Sequence, residues 1–127
     1  MDQPQAQKRL SGLRVLVVED EAMAALQIED MLQSLGCSVI GPVARVGAAV
    51  ALIEREPIDI AVLDLNVAGE LVYPVAAALD ERNRPFFFAT GFGVSALDAA
   101  YRDRLVLQKP YGLAGLSRAL LASLPAS

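Results

Sequence analysis

The sequence predicts an α/β domain built on a parallel sheet with helices covering both faces. Three observations carry that expectation: five short apolar runs, helical-period segments between them, and a length of 127 residues that suits one domain. Strands buried on both faces read as continuous apolar runs, whereas half-exposed strands alternate, and the runs here are of the continuous kind.

The first run, Leu13 to Val18, is rich in valine and leucine and stops at Glu19, Asp20 and Glu21. Residues 22–35 follow as a helix, with Met23, Leu26, Met31 and Leu35 near helical spacing and Gly36 as its stop. Cys37 to Val43 reads as a second strand, closed near Gly41-Pro42; Val46, Val50 and Ile53 mark a second helix that ends before Pro57. Ile58 to Leu63 is a third strand reaching Asp64, and residues 65–73 read as a loop. Pro74 fits the first position of a third helix running to about Arg82. Phe86 to Ala89 is a fourth strand, and Val94, Leu97 and Tyr101 mark a short fourth helix after Gly91 and Gly93. Leu105 to Leu107 is the fifth strand, and Leu113, Leu116 and Leu120 mark the last helix. The domain is expected over 12–124, behind a flexible tail at 1–11.

Composition narrows the function. With 54% apolar and 20% charged residues, the chain has the makings of a packed core and lacks those of a disordered segment. A net charge of −4 with scattered basic residues argues against a nucleic-acid surface, which needs clustered Lys and Arg. No uncharged apolar run approaches the roughly 18 residues that span a bilayer. The polar N-terminus has no signal-peptide core, so a cytoplasmic protein without membrane contact is expected. The single cysteine, Cys37, lies in an apolar run and reads as buried packing. There is no histidine, which removes Ser-His-Asp and Cys-His catalysis and histidine zinc sites. Carboxylates, hydroxyls, lysine and backbone remain for any chemistry.

In an open parallel sheet, ligands gather outside the carboxyl ends of the strands, where strand order reverses. For a 2-1-3-4-5 order that point lies between strands one and three, the strands ending in Glu19-Asp20 and in Asp64. Clustered carboxylates repel one another, and a hard divalent cation such as Mg²⁺ resolves the conflict. Thr90 and Lys109 reach the same rim from strands four and five. A hydroxyl and an ammonium beside a carboxylate and a cation suit phosphoryl transfer, which is mostly positioning and charge stabilisation. Each residue alone has an ordinary structural reading; their joint placement at the strand ends of one fold does not.

These residues resemble the receiver domain of bacterial response regulators from about Leu13 to Leu121. The matching pieces are V-L-V-V-E-D-E at 15–21, D-I-A-V-L-D-L-N at 59–66, F-A-T-G at 88–91 and L-Q-K-P-Y at 107–111. The resemblance implies a flavodoxin-like receiver fold, with a five-stranded parallel sheet of order 2-1-3-4-5 and five helices on both faces. It implies Asp64 as phosphoacceptor, Asp20 as a direct Mg²⁺ ligand and Glu19 as a ligand through water. The backbone carbonyl of Asn66 would be a further ligand; Thr90 would hydrogen-bond the phosphoryl group, and Lys109 would pair with it. The implied donor is a sensor histidine kinase or a phosphotransfer protein. Such a domain catalyses its own phosphorylation and dephosphorylation only, so it is a signalling module and not an enzyme acting on other substrates. Its output is protein–protein contact or onward phosphotransfer, with Tyr101, Gln108 and Leu113 expected on the contact face.

A finer match is P-F-F-F-A-T-G-F at 85–92 with Y-P-V-A at 73–76. It resembles the stand-alone subgroup with a P-F-x-F-A-T-G signature followed by Gly, Trp or Tyr (FATGUY), whose members implicate kinases of the HWE type. Here the last position is Phe92, a departure that places a ring near the expected path of water to an acyl phosphate. A second departure is Val106, three residues before Lys109, where receivers typically carry a switching aromatic ring. The switch is therefore expected in the Gly91–Arg104 segment. The initial Met and polar tail predict a complete single-domain response regulator. Its alternatives are a receiver excised from a hybrid histidine kinase and an unphosphorylated pseudo-receiver. A Mg²⁺ phosphohydrolase is disfavoured because Asp64-Leu65-Asn66 lacks the paired acid, and a dinucleotide-binding domain because strand one runs into acids where glycines are required.

Overall fold

The computed structural model describes residues 3–91 and 97–125. Its main sheet consists of β1 (Arg14–Val18), β2 (Ser38–Val43), β3 (Ile60–Leu63), β6 (Phe86–Thr90) and β7 (Val106–Gln108). The strands are parallel and lie in the order β2-β1-β3-β6-β7, which is 2-1-3-4-5 counted along the main sheet. Between β3 and β6, the short strands β4 (Asn66–Val67) and β5 (Glu70–Leu71) pair antiparallel as a separate hairpin.

Side-chain alternation along β1 builds two cores. Leu16 and Val18 face one side, where they meet α3 (Val46–Arg55) and α4 (Tyr73–Glu81) through Ala49, Ile53, Val75 and Leu79. Val15 and Val17 face the other side, against α2 (Ala22–Ser34) and α5 (Leu113–Ser123) through Ile28, Leu32, Leu116 and Leu120. Phe87 and Phe88 are both fully buried on opposite faces, so β6 carries the bulkiest share of each core. A central strand buried on both sides has no use for polar alternation, which is why these strands read as unbroken apolar runs.

The edge strand β2 contains Gly41-Pro42, tolerable there because an edge residue can dispense with a ladder hydrogen bond. Gly41 has φ +93°, and a Cβ added there would lie 2.8 Å from the Val43 nitrogen. No other residue fits that bend without moving the backbone.

Three expectations need correction, and a fourth lies partly outside the described residues. The segment read as an unstructured tail carries helix α1 (Gln3–Leu10). Leu10 is 2% exposed in the core shared with α2 and α5, and the Arg9 Nη2 donates to the Pro125 carbonyl at 3.1 Å. One apolar anchor among polar residues makes no periodic stripe, so the docking partner alone reveals it. On α2 the buried residues are Ile28 and Leu32, while Met23 is 62% and Leu26 57% exposed. The loop after Asp64 contains the β4–β5 hairpin. The helix expected around Val94 falls partly on residues 92–96, outside those described; among the rest, a 3₁₀ turn spans Ala99–Tyr101.

Leu10→Ala measures the docking of α1 directly. It should lower unfolding free energy in urea by about 2–4 kcal/mol, as expected for a buried leucine. A loss below about 0.5 kcal/mol, the usual range for a surface site, would show that the helix does not belong to the core.

Candidate functional site

The carboxyl ends of β1 and β3 deliver the acids. The main-chain pairing Val18↔Leu63 puts the next residues, Glu19 and Asp64, side by side, and the Asp64 N–H donates to the Val18 carbonyl at 3.0 Å. Glu19, Asp20 and Asp64 each present a carboxylate oxygen within 4.8 Å of the others. They differ in burial: Glu19 is 7% exposed, Asp64 is half-buried and Asp20 faces solvent.

Each acid is held by a different partner. The Glu19 Oε2 accepts from the Glu21 N–H at 3.1 Å, and the Asp64 Oδ1 from the Leu65 N–H at 2.9 Å. The Asp20 Oδ2 accepts the Ala68 N–H at 2.9 Å. Lys109 reaches in from the end of β7, its N–H donating to the Thr90 carbonyl at 2.9 Å. Its ammonium pairs with Glu19 at 2.5 Å and stands 3.6 Å from the Asp64 Oδ2. Thr90 ends β6 and is 1% exposed. Asn66 opens the hairpin two residues past Asp64 and is exposed. The donor set is all oxygen, partly solvated and of three acids, which fits a hard divalent cation such as Mg²⁺ and suits no soft metal.

The electrostatics follow from this crowding. Burial, then the Glu19 charge, pushes the Asp64 carboxyl up to about 6, against the opposing pull of Lys109 and the Leu65 N–H. Burial alone would lower the Lys109 ammonium, but its hydrogen bond to Glu19 and the charges of Asp64 and Glu19 outweigh burial and hold it above its ordinary value. Burial, then the charges of Glu19 and Asp64, pushes the nearby Tyr111 phenol up to about 12, so it stays protonated. A cleft of about 190 Å³ lined by Glu21, Gln27, Met31, Lys109 and Tyr111 adjoins the acids. A wider one of about 360 Å³ lies at the amino ends of the strands, among Glu54, Arg55, Arg82 and Arg84, and contains none of them.

The sequence did not reveal the aromatic cluster that packs beside Val106. Val106 is paired with Phe88 on the edge of the sheet. Beside it, Tyr101 stacks on Tyr73 at 5.1 Å and meets Phe88 edge-on at 6.0 Å. The Tyr73 hydroxyl accepts the Asp98 N–H at 2.8 Å. Tyr101, expected on an exposed contact face, is thus half-buried, whereas Gln108 and Leu113 are exposed. The Y-P-V-A match had marked Tyr73, but without its partner. Phe92 lies outside the described residues.

An acid pushed upward on folding favours the protonated form. Its stabilising contribution is fully present below the unfolded value of 3.8 and is lost as pH rises through about 6. Asp64→Asn should therefore stabilise the chelator-treated protein by about 2 kcal/mol at pH 7.5. The gain should vanish near pH 4, as read by urea unfolding at both values. An equal effect at the two pH values would show that the Asp64 charge carries no penalty.

No family model and no curated protein matches the chain. Solved structures do. The solution structure of SdrG from Sphingomonas melonis Fr1 is 44% identical, with a TM-score of 0.79 over 87% of this chain and 95% of that one. The BeF3-activated conformation of SdrG from Pseudomonas melonis Fr1 is likewise 44% identical, with a TM-score of 0.76 over 88% and 97%. The receiver domain of sensor histidine kinase PA1611 from Pseudomonas aeruginosa PAO1, which has a magnesium ion coordinated in its active-site cleft, is 27% identical. Its TM-score is 0.72 over 89% of this chain and 98% of that one. With that fold, that cluster of strand-end acids and 44% identity over nearly all of a relative, the chain belongs to the response regulator receiver-domain family.

Proposed function

We propose that this chain accepts a phosphoryl group on Asp64 from a phosphohistidine of a sensor histidine kinase or phosphotransfer protein, with Mg²⁺ bound at Glu19, Asp20, Asp64 and the Asn66 carbonyl. The observation that carries the reading is the convergence of three carboxylates within 4.8 Å on an ammonium 3.6 Å from Asp64. The magnesium in the PA1611 receiver and the BeF3-activated form of SdrG support it by likeness. The receiver domain is assigned to 12–124, with α1 packed against it.

In the transfer, an Asp64 carboxylate oxygen forms a bond to phosphorus while the bond from phosphorus to the imidazole nitrogen breaks. The electron pair leaves with the imidazole, which needs no proton from this chain if it departs already protonated on its other nitrogen. A bound divalent cation supplies positive charge against the phosphoryl oxygens and favours the ionised carboxylate. Lys109, charged at neutral pH, is poised to leave Glu19 and pair with the incoming phosphoryl group, and Thr90 donates its hydroxyl to another oxygen. The Leu65 N–H keeps one Asp64 oxygen oriented throughout. The product is an acyl phosphate, which loses its phosphoryl group to water or to a further acceptor and so returns the Asp64 carboxylate.

The P-F-F-F-A-T-G-F match supports placing the chain in the FATGUY subgroup and makes an HWE-type kinase the first donor to test. Output is by protein–protein contact or onward phosphotransfer. The exposed Gln108 and Leu113 offer one contact face, and the stacked Tyr73–Tyr101 pair links the segment after Asp64 to the 3₁₀ turn.

Intact-mass measurement after incubation with acetyl phosphate and Mg²⁺ tests the reading. Wild type should gain one phosphate-sized increment, and Asp64→Ala or added chelator should abolish it. Lys109→Ala should reduce the rate of loading by about 100-fold, the range expected when a transition-state charge partner is removed. Loading that survives in Asp64→Ala would assign the phosphoryl group elsewhere. A folded, Mg²⁺-bound wild type that takes no phosphoryl group even from a kinase would overturn the function.

A further inference from the structure

The β4–β5 hairpin immediately after Asp64 is absent from any reading of the sequence, and its geometry is unusual. A two-residue turn, Ala68-Gly69, joins Val67 to Glu70, with φ +52° at Ala68 and +85° at Gly69. Such turns match the twist of a hairpin, yet they favour Asn or Gly at the first position; an alanine is strained there. Strain of this kind persists where the surroundings hold it, and it gathers at functional sites. Here the surroundings are explicit. Leu65, Val67 and Val72 are buried and pin both arms to the core, while residues 68–71 stand in solvent.

The strained turn aims a backbone amide. In a turn of this type the N–H of its first central residue has no partner within the hairpin, and at Ala68 it donates to the Asp20 Oδ2 at 2.9 Å. The register does a second thing. Val72 donates to the Leu65 carbonyl at 2.9 Å, and strand pairing then runs Asn66↔Leu71 and Val67↔Glu70. Hydrogen-bonded and non-bonded pairs alternate along an antiparallel ladder. Asn66 therefore falls in the non-bonded pair, and its carbonyl points away from β5, uncommitted to the ladder. One short segment thus holds Asp64 through the Leu65 N–H, holds Asp20 through the Ala68 N–H and leaves the Asn66 carbonyl outside the hairpin's own bonding.

We propose that the Asn66–Leu71 hairpin is the positioning element of the cation site, its turn amide at Ala68 fixing the Asp20 carboxylate and its register releasing the Asn66 carbonyl to the ion. This rests on the cation-assisted reading above and adds a cause for the site's geometry: an exposed aspartate on one strand end is otherwise free to rotate into water. Ala68 is a positioning residue, acting through Asp20. Partners that orient metal ligands typically change affinity by about 10–100-fold when lost.

The test pairs two equally strained substitutions. Gly69→Val forces a β-branched residue into the left-handed turn, and Gly12→Val does the same at φ +74° far from the acids, where a Cβ also meets nothing within 4 Å. Mg²⁺ titration should show the dissociation constant rising about 10-fold in Gly69→Val and staying at the wild-type value in Gly12→Val. Gly69→Asn, which tolerates the conformation, should recover most of the loss. Unchanged affinity in Gly69→Val, or an equal loss in Gly12→Val, overturns the proposal. Amide exchange on metal-free protein decides the clamp independently: the Ala68 N–H should exchange slowly in wild type and freely in Asp20→Ala. Equal rates in the two overturn it. A wild type that binds no Mg²⁺ while its Ala68 amide is protected in an Asp20-dependent way would fail the function above and leave the clamp standing.

Discussion

Three carboxylates within 4.8 Å of one another repel, and the rim of this protein is organised around that repulsion. Two cationic remedies apply. One is Lys109, which pairs with the most buried acid, Glu19, and stands farther from Asp64. The other is a divalent cation, for which the three acids form an oxygen-rich seat. Since Lys109 does not fully compensate Asp64, the carboxyl remains pushed upward, and the site is primed to welcome positive charge. In the proposed reaction, Lys109 would exchange Glu19 for the phosphoryl oxygens as its partner.

Holding like charges together demands a rigid frame, and the sheet provides it. The strands that end in the acids, β1 and β3, are the central ones, buried on both faces and paired residue for residue from Val15↔Ile60 to Val18↔Leu63. Their ends cannot drift apart without breaking two cores at once. The weaker parts of the frame lie at the periphery: the hairpin after Asp64, and the segment around Tyr101. The Tyr73–Tyr101 stack joins them, because Tyr73 follows directly on the hairpin and also accepts the Asp98 N–H. Arg104 reinforces that segment through Asp80 at 3.0 Å and by lying over the Phe86 ring. The Tyr73–Tyr101 stack therefore links the segment after Asp64 to the 3₁₀ turn by direct packing.

Much of this was legible in the chain before any coordinates. Continuous valine- and leucine-rich runs announce doubly buried strands, and acids at their ends can only crowd one rim once the strands are parallel. The strand-end residues Glu19, Asp20, Asp64, Thr90 and Lys109 follow from that logic. What escaped has a common physical character: it depends on a partner distant in sequence or on backbone direction. Helix α1 is visible only through the pocket that takes Leu10. On α2, periodicity admits two faces, and the choice of Ile28 and Leu32 over Met23 and Leu26 is made by what packs against them. Tyr101 looked like a surface residue until Tyr73 was found stacked upon it.

The sequence by itself determined the fold class, the order of its strands through family likeness, and the residue types available at the rim, because apolar patterning and strand-end placement are local properties. It could not decide which acid Lys109 pairs with, nor that an alanine amide holds Asp20. Those depend on distances of 2.5 to 3.6 Å between groups far apart in the chain, with Lys109 and Glu19 separated by 90 positions. Only the packed sheet and the strained turn beside it set such distances, because only they fix where each strand end points.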